Sequence, residues 1–333
     1  MSRRKRLKRR RKRNRKFFKK LLIIILLFAA VLIGIFFVDR KTFDKLTNNV
    51  FIELNKITSK IQKQLSKYKK EKYDSIEIND NLAVFFLDVG QADSILVKYQ
   101  DEYMLIDAGN NNDGEKLVNY FKYLGIKEFK HVFGTHAHED HIGGMDNIIK
   151  KFRILNFYMP DDPTTTETFV EVLNALEKNN VKLQTPKVGT RLTLGRADIE
   201  ILSIKNKQQD MNDDSIVLKL TYDNISFLFT GDATQNIEKE ILNKDLESTV
   251  LKVGHHGSKY SNSAQFLRKV NPKYAIISCG INNEYYHPHN VVLEKLEKLN
   301  TKIYRTDLDG TIVALTDGNN IEFKTIKTYT DGG

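Results

Sequence analysis

From residue 81 onward, short apolar runs alternate with amphipathic ones. LAVFFLDV (82–89), SILVKY (94–99), YMLID (103–107) and HVFGT (131–135) are strand-like. Apolar residues at helical spacing predict helices over 115–124, 143–151, 166–178, 234–243, 263–270 and 290–299. Further strands are predicted over 198–204, 215–222, 225–230, 248–253, 273–278, 301–304 and 311–316. No repeat of fixed period interrupts the series. Many strands with helices on the outside predict one α/β unit over 81–333, a two-sheet sandwich flanked by helices.

The first 80 residues follow other rules. Residues 21–38, LLIIILLFAAVLIGIFFV, are uncharged and apolar. As a helix this run spans about 27 Å, close to a bilayer core. The basic flank before it sets the orientation, with 1–20 as a cytoplasmic tail and everything from Asp39 outside the cell. A cleaved signal peptide is the rival reading, but no small-x-small site follows the run and the run is long for a signal core. The expected arrangement is therefore a single-pass membrane protein that contacts lipid through 21–38. Over 44–72, Leu46, Val50, Leu54, Ile57, Ile61, Leu65 and Tyr68 recur at spacings of three and four. That makes 39–80 a helical stalk or linker. A homodimer through a short coiled coil is a second reading, although Thr47 and Gln64 interrupt the seam.

Charge changes the picture once it is divided. The chain carries +11, yet residues 1–20 alone hold 14 Lys and Arg and no acid. Residues 81–333 hold 29 basic against 35 acidic residues, a net of −6. The basic tail serves topology and anionic lipid. The large unit has no bulk signature of nucleic-acid binding. The single cysteine, Cys279, excludes an intrachain disulfide and leaves the redox compartment open.

Four motifs carry chemistry. THAHEDHIGG (135–144) sets three His and one Asp within six residues, directly after a strand. His136 and His138 alternate and can face one ion, while Asp140 and His141 point to a second. Imidazole with carboxylate suits zinc, and also manganese or iron. Gly143 and Gly144 let the next helix start close by. In FLFTGDA (227–233) the carboxylate of Asp232 at a strand end can bridge two metals; capping of the following helix is the alternative. LKVGHHGS (251–258) places His255 and His256 on a glycine turn, one for metal and the other facing substrate. In YYHPHN (285–290) His287 or His289 can reach a phosphate or leaving group, or simply start a helix. Cys279 reads as a small buried residue rather than a ligand. Arg305 is either a phosphate clamp or the partner of an Asp.

Together, in this order, these motifs resemble the metallo-β-lactamase superfamily and its ComEC-like branch of competence-type hydrolases. The resemblance covers about 82–325, through FLDVGQADSILV, LIDAG, THAHEDHIGG, NDDS, FTGD, LKVGHHGS, YYHPH and YRTDLDGTI. It implies an αββα sandwich with two divalent metal ions, zinc or manganese, at the edge between the sheets. By position His136, His138, Asp140, His141 and Asp232 are expected ligands, with His255 the choice for the late ligand and His256 its alternative. Asp88 and Asp107 match acids expected to orient the metal loop. Asp93 stands in Gln91-Ala92-Asp93, where the branch usually has glycine in the middle. No His lies between His141 and His255; the matching stretch is Asn212-Asp213-Asp214-Ser215. The first metal is then expected to be open, which argues against a true β-lactamase.

The expected function is metal-dependent hydrolysis of a phosphodiester outside the cell. Asp140 belongs to the catalytic set, and His256 or His287 gives a hydrogen bond or proton to the leaving oxygen. The resemblance points to DNA, which leads; the net −6 weakens that suggestion, and cell-wall phosphodiesters such as teichoic acid or its phosphocholine substituents fit the same chemistry and location. A non-hydrolytic metal-binding module is the reading from another class.

Overall fold

A computed structural model describes residues 53, 56, 58, 82–161, 164–206 and 209–326. The chain divides into two units, Met1–Ser75 and Ile76–Gly333. The apolar run 21–38 lies outside the described residues, as does the stalk apart from Glu53, Lys56 and Thr58. These three are helical, and Lys56 pairs with Glu53 at 2.9 Å. Among the described residues no helix is long and apolar enough to cross a membrane.

The second unit is built on two large sheets. The eight-stranded sheet runs in the order Ile321–Ile326, Thr311–Thr316, Leu82–Phe86, Ile95–Tyr99, Glu102–Ile106, His131–Phe133, Phe157–Tyr158 and Leu183–Gln184. The seven-stranded sheet runs Lys302–Arg305, Tyr274–Ile277, Val250–Lys252, Ile225–Phe229, Val217–Tyr222, Ala197–Ser203 and Arg191–Leu194. Strand residues divide between two apolar layers because successive side chains leave opposite faces. Leu82, Val84 and Phe86 point into the layer between the sheets, where Phe86 meets Phe229 at 6.3 Å between ring centroids. Ala83, Phe85 and Leu87 point the other way, onto helices Gly114–Tyr123, Met145–Lys151 and Glu167–Lys178. The outer face of the second sheet is covered by Gln235–Ile241, Ala264–Val270 and Asn290–Glu297. The result is the αββα sandwich expected from the sequence, with the central strands of each sheet buried on both faces.

Half of each sheet is parallel. Glu102–Ile106, His131–Phe133, Phe157–Tyr158 and Leu183–Gln184 run together in one. Ile225–Phe229, Val250–Lys252, Tyr274–Ile277 and Lys302–Arg305 do so in the other. Parallel strands gather the loops that leave their carboxyl ends, the usual place for a site in an α/β fold. The loops carrying Asp107, His136, Asp232 and His255 leave such ends.

Candidate metal centre

The loop after His131–Phe133 is pinned from below by Asp107. Its Oδ1 accepts from the Thr135 amide at 2.8 Å. Its Oδ2 accepts from the Thr135 hydroxyl and from His141 Nδ1, both at 2.8 Å. The second contact holds Nδ1 as a donor and leaves Nε2 as the nitrogen turned toward the cluster, the orientation a ligating imidazole needs. Gly143 and Gly144 bring this loop against the 108–114 backbone. A Cβ on Gly143 would lie 2.2 Å from the Asn111 nitrogen, so no larger residue fits. The glycines thus serve backbone packing against that segment, the local reason for the close helix start.

Asp232 enters from the opposite sheet with its amide donating to Ser215 Oγ at 3.1 Å. Its Oδ1 lies 3.3 Å from His141 Nε2. Its Oδ2 lies 3.6 Å from His255 Nε2 and 3.7 Å from His256 Nε2. Asp140 Oδ2 lies 3.2 Å from His256 Nε2 and 3.9 Å from His141 Nε2. Asp140, His141, Asp232 and His256 each offer one donor atom, all within 4.8 Å of one another. His136 and His138 sit beside this group. His136 Nε2 and His138 Nδ1 meet at 2.8 Å, and the His136 ring lies 4.2 Å from that of His141. Ser215, from the NDDS stretch, reaches His136 Nδ1 at 3.4 Å as well as Asp232, so this motif supports the site without supplying a third imidazole.

The glycine turn differs from a simple strand exit. His255 and His256 are both left-handed, with φ of 51° and 53°. Such backbone costs on the order of 1–3 kcal/mol per residue and persists where surrounding structure holds it. It aims the two rings 77° apart. His256 Nδ1 is held 3.0 Å from the Ser278 carbonyl, which leaves Nε2 facing Asp140. His255 lies at the edge of the cluster, with its side chain 22% exposed against 2% for His256.

The donor set fits cations. His141 Nε2, Asp232 Oδ1 and His256 Nε2 are buried without hydrogen-bond partners, and all three converge on the cluster. Stranding buried polar atoms is costly unless something pairs with them. Electrostatics say the same. Burial works against charge on His141, yet Asp232, Asp107 and Asp140 outweigh it and raise it well above the usual imidazole range. Burial also opposes charge on Asp232, but His141, His256 and His255 hold its carboxyl well below the usual range. Burial and the neighbouring His141 keep His136 neutral. Carboxylates this densely set demand positive charge, and a divalent ion answers that demand as protons do.

Two residues that the motif reading did not single out complete the site. Lys252 is 1% exposed, and its Nζ lies 2.7 Å from Asp93 Oδ2. Asp93 in turn accepts nothing at Oδ1, which lies 3.7 Å from His256 Nδ1. Its backbone ties two further loops, through Asp140 O and Gly109 N. A lysine inside the apolar run Val250-Leu251-Lys252-Val253 was the available signal, because a buried ammonium needs a partner. Thr135 is the second, touching Asp107, His136 and His141 with one hydroxyl.

The remaining candidates divide. His287 lies 5.6 Å from His255 and 6.3 Å from His256 between ring centroids, beside the cluster. Gln91 Oε1 accepts from Gly280 N, so its amide group faces His287 Nδ1 at 3.3 Å and leaves the imidazole proton on Nε2. Burial and the surrounding His256 and His255 push His287 down to about 4, so it is neutral. His289 accepts from the Lys259 amide at 3.2 Å. Asp88 Oδ1 accepts from Gly90 N at 3.4 Å, within its own loop. Arg305 is committed to Asp307 by two contacts of 3.0 and 2.6 Å. Cys279 is buried, and burial with nearby Asp307 pushes its thiol up to about 12.

Fold and donor set define a metallo-β-lactamase-fold protein with a candidate dinuclear His/Asp centre. The chain belongs to the metallo-β-lactamase superfamily, whose family model matches residues 87–281. It is 33% identical over 250 residues to ComE operon protein 3 of Bacillus subtilis (strain 168), covering 69% of this chain and 32% of that protein. It is 29% identical over 235 residues to Competence protein ComA of Neisseria gonorrhoeae, covering 69% of this chain and 32% of that one. The ComEC-like resemblance of the motifs agrees with these competence-protein relatives. The chain spans about a third of the length of the curated relatives it matches. The metallo-β-lactamase fold protein YhfI from Bacillus subtilis superposes with a TM-score of 0.51 at 12% identity, over 72% of this chain and 100% of that one. That likeness concerns the fold.

The Asp107 contacts give a first expected result. Asp107→Asn keeps the volume but weakens the hold on His141 and Thr135. Metal affinity should fall by about 10–100-fold. Competition against a chelator reads it, and unchanged affinity would remove Asp107 from the support of the site.

Proposed function

We propose that this chain is a metal-dependent phosphodiesterase, anchored in a membrane by 21–38 with its catalytic unit outside the cell. One observation carries the reaction: the unpartnered nitrogens of His141 and His256, each with its tautomer fixed from behind, meet Asp140 and Asp232. Such ready-made donors suit divalent ions, zinc or manganese. His136 and His138 would hold one ion, His141, Asp140 and His256 the other, with Asp232 between. Bound cations supply Lewis-acid charge to phosphoryl oxygens and acidify water at the site.

The protein's own groups do the rest. Asp140, drawn below the usual carboxylate range against its own burial by His141 and His256, is a poor base and a good ligand. His287, neutral with its proton on Nε2, donates a hydrogen bond to the leaving oxygen as charge builds there. His255, more exposed than its neighbour, faces the substrate side. This exchanges the roles first expected for His255 and His256.

The competence-protein relatives favour DNA as substrate. The net −6 of 81–333 favours a phosphodiester that is not held mainly by cations, which keeps teichoic acid or phosphocholine esters as the second reading.

The test uses the purified full chain with Mn²⁺ or Zn²⁺ and a panel of a DNA oligonucleotide, glycerol teichoic acid and glycerophosphocholine. His256→Ala should lose metal, whereas His255→Ala should keep both ions and lose turnover by about 10²–10⁴-fold. Metal lost from His255→Ala alone would restore the first assignment. No turnover of any phosphodiester by the metal-loaded wild type would leave the non-hydrolytic reading.

A further inference from the structure

The tyrosines are unevenly placed. Among the described residues only Tyr260, Tyr285 and Tyr286 are exposed, at 65%, 58% and 83%. All three lie in the two loops that carry His255, His256 and His287. Single exposed aromatics need no explanation. Three of them on the two loops that carry one buried polar centre do, because their apolar surface is left in water beside it.

The rim is continuous with the site. The Tyr285 ring stacks on His287 at 5.7 Å and 24°. His287 touches His255 at 5.6 Å and His289 at 5.1 Å. His289 holds the Lys259 amide, which joins the second loop, and Lys259 Nζ lies 5.3 Å from the Tyr260 ring. The first loop is braced so that its rings stay out. Asn283 bonds Gly280 O at 2.9 Å and both the carbonyl and amide of His287. Tyr286 is held at φ 57°, a conformation bulky side chains rarely adopt.

We infer that Tyr285 and Tyr286, with Tyr260 on the adjoining loop, form a stacking shelf for unpaired bases of a single-stranded nucleic acid whose phosphodiester lies at the metal centre. Flat open rings favour flat partners, and base–aromatic stacking is tolerant of sequence. It also answers the charge problem. With a net of −6 over 81–333, phosphate contacts alone hold a strand weakly, and stacking supplies attraction that needs no cations. Polyol phosphates have no ring to stack. A quaternary ammonium over the tyrosines is the competing occupant.

The inference rests on the phosphodiesterase reading for what lies at the centre, but binding tests it separately. The full chain is titrated by fluorescence anisotropy with a labelled phosphorothioate thymidine strand and an abasic strand of equal length. The wild type should prefer the thymidine strand. The double variant Tyr285→Ala/Tyr286→Ala should bind it about 5–150-fold more weakly. It should lose little affinity for the abasic strand and keep its metal content. Tyr286→Trp should hold affinity. Equal binding of the two strands by the wild type, or equal losses on both in the variant, overturns the shelf. So does choline competing for the tyrosines at lower concentration than thymidine nucleotides. Hydrolysis of unmodified versions of both strands is followed in parallel. A protein that prefers bases but cleaves neither keeps the shelf and loses the reaction. One that binds and cleaves both alike keeps the reaction and loses the shelf.

Discussion

Asp232→Ala is expected to abolish hydrolysis and to remove metal while leaving the fold intact. The carboxylate lies between His141, His255 and His256, and its Oδ1 is buried without a hydrogen-bond partner. Its side chain therefore serves charge rather than packing. Its amide, which anchors the loop on Ser215, survives the substitution. Losing one such preorganised group costs on the order of 10²–10³-fold in kcat, and loss of a cation adds to that. Asp232→Asn, which keeps shape without charge, should fail nearly as badly. Metal analysis, turnover and a melting curve on both variants decide the matter. Wild-type metal content in Asp232→Ala would show that the ions are held elsewhere.

Lys252→Met should instead destabilise the fold. Lys252 and Asp93 form an ion pair of 2.7 Å with side chains only 1% and 2% exposed. Breaking such a pair strands a buried carboxylate, at about 3–5 kcal/mol. For a unit of this size that corresponds to roughly 6–20 °C in Tm. Removing both charges in Lys252→Met/Asp93→Leu should recover most of the stability, because an apolar replacement of a buried pair is often neutral. It should not recover full metal affinity, since Asp93 also approaches His256 and its amide, on a loop the substitution disturbs, holds the Asp140 carbonyl. A Lys252→Met protein that melts with the wild type would mean water or another donor reaches Asp93.

The central strands were legible because each is a largely apolar run. Leu82–Phe86, Ile95–Tyr99, Val217–Tyr222, Ile225–Phe229 and Thr311–Thr316 all fall inside predicted spans. So do most of the helices, whose single apolar stripe repeats at helical spacing. Several short or edge elements escaped. Phe157–Tyr158 and Leu183–Gln184 are too short to show a period. Arg191–Leu194 and Ile321–Ile326 alternate, but as edge strands they bury little and read as loop.

The donor inventory was legible for a different reason. Metal ligands must be His, Asp, Glu or Cys, and the chain holds only eight His, seven of which fall in the three His motifs around the site. Residue type and local spacing thus determined the chemistry, and apolar periodicity determined the layers. Which of two adjacent imidazoles faces the cluster was decided by the left-handed turn at His255 and His256. The tautomers of His141, His256 and His287 were decided by Asp107, the Ser278 carbonyl and Gln91, all distant in sequence. So was the pairing of Lys252 with Asp93, from opposite sheets. Orientation and pairing depend on atoms brought together only when the two sheets close, and no local pattern encodes the direction in which a side chain then meets its partner.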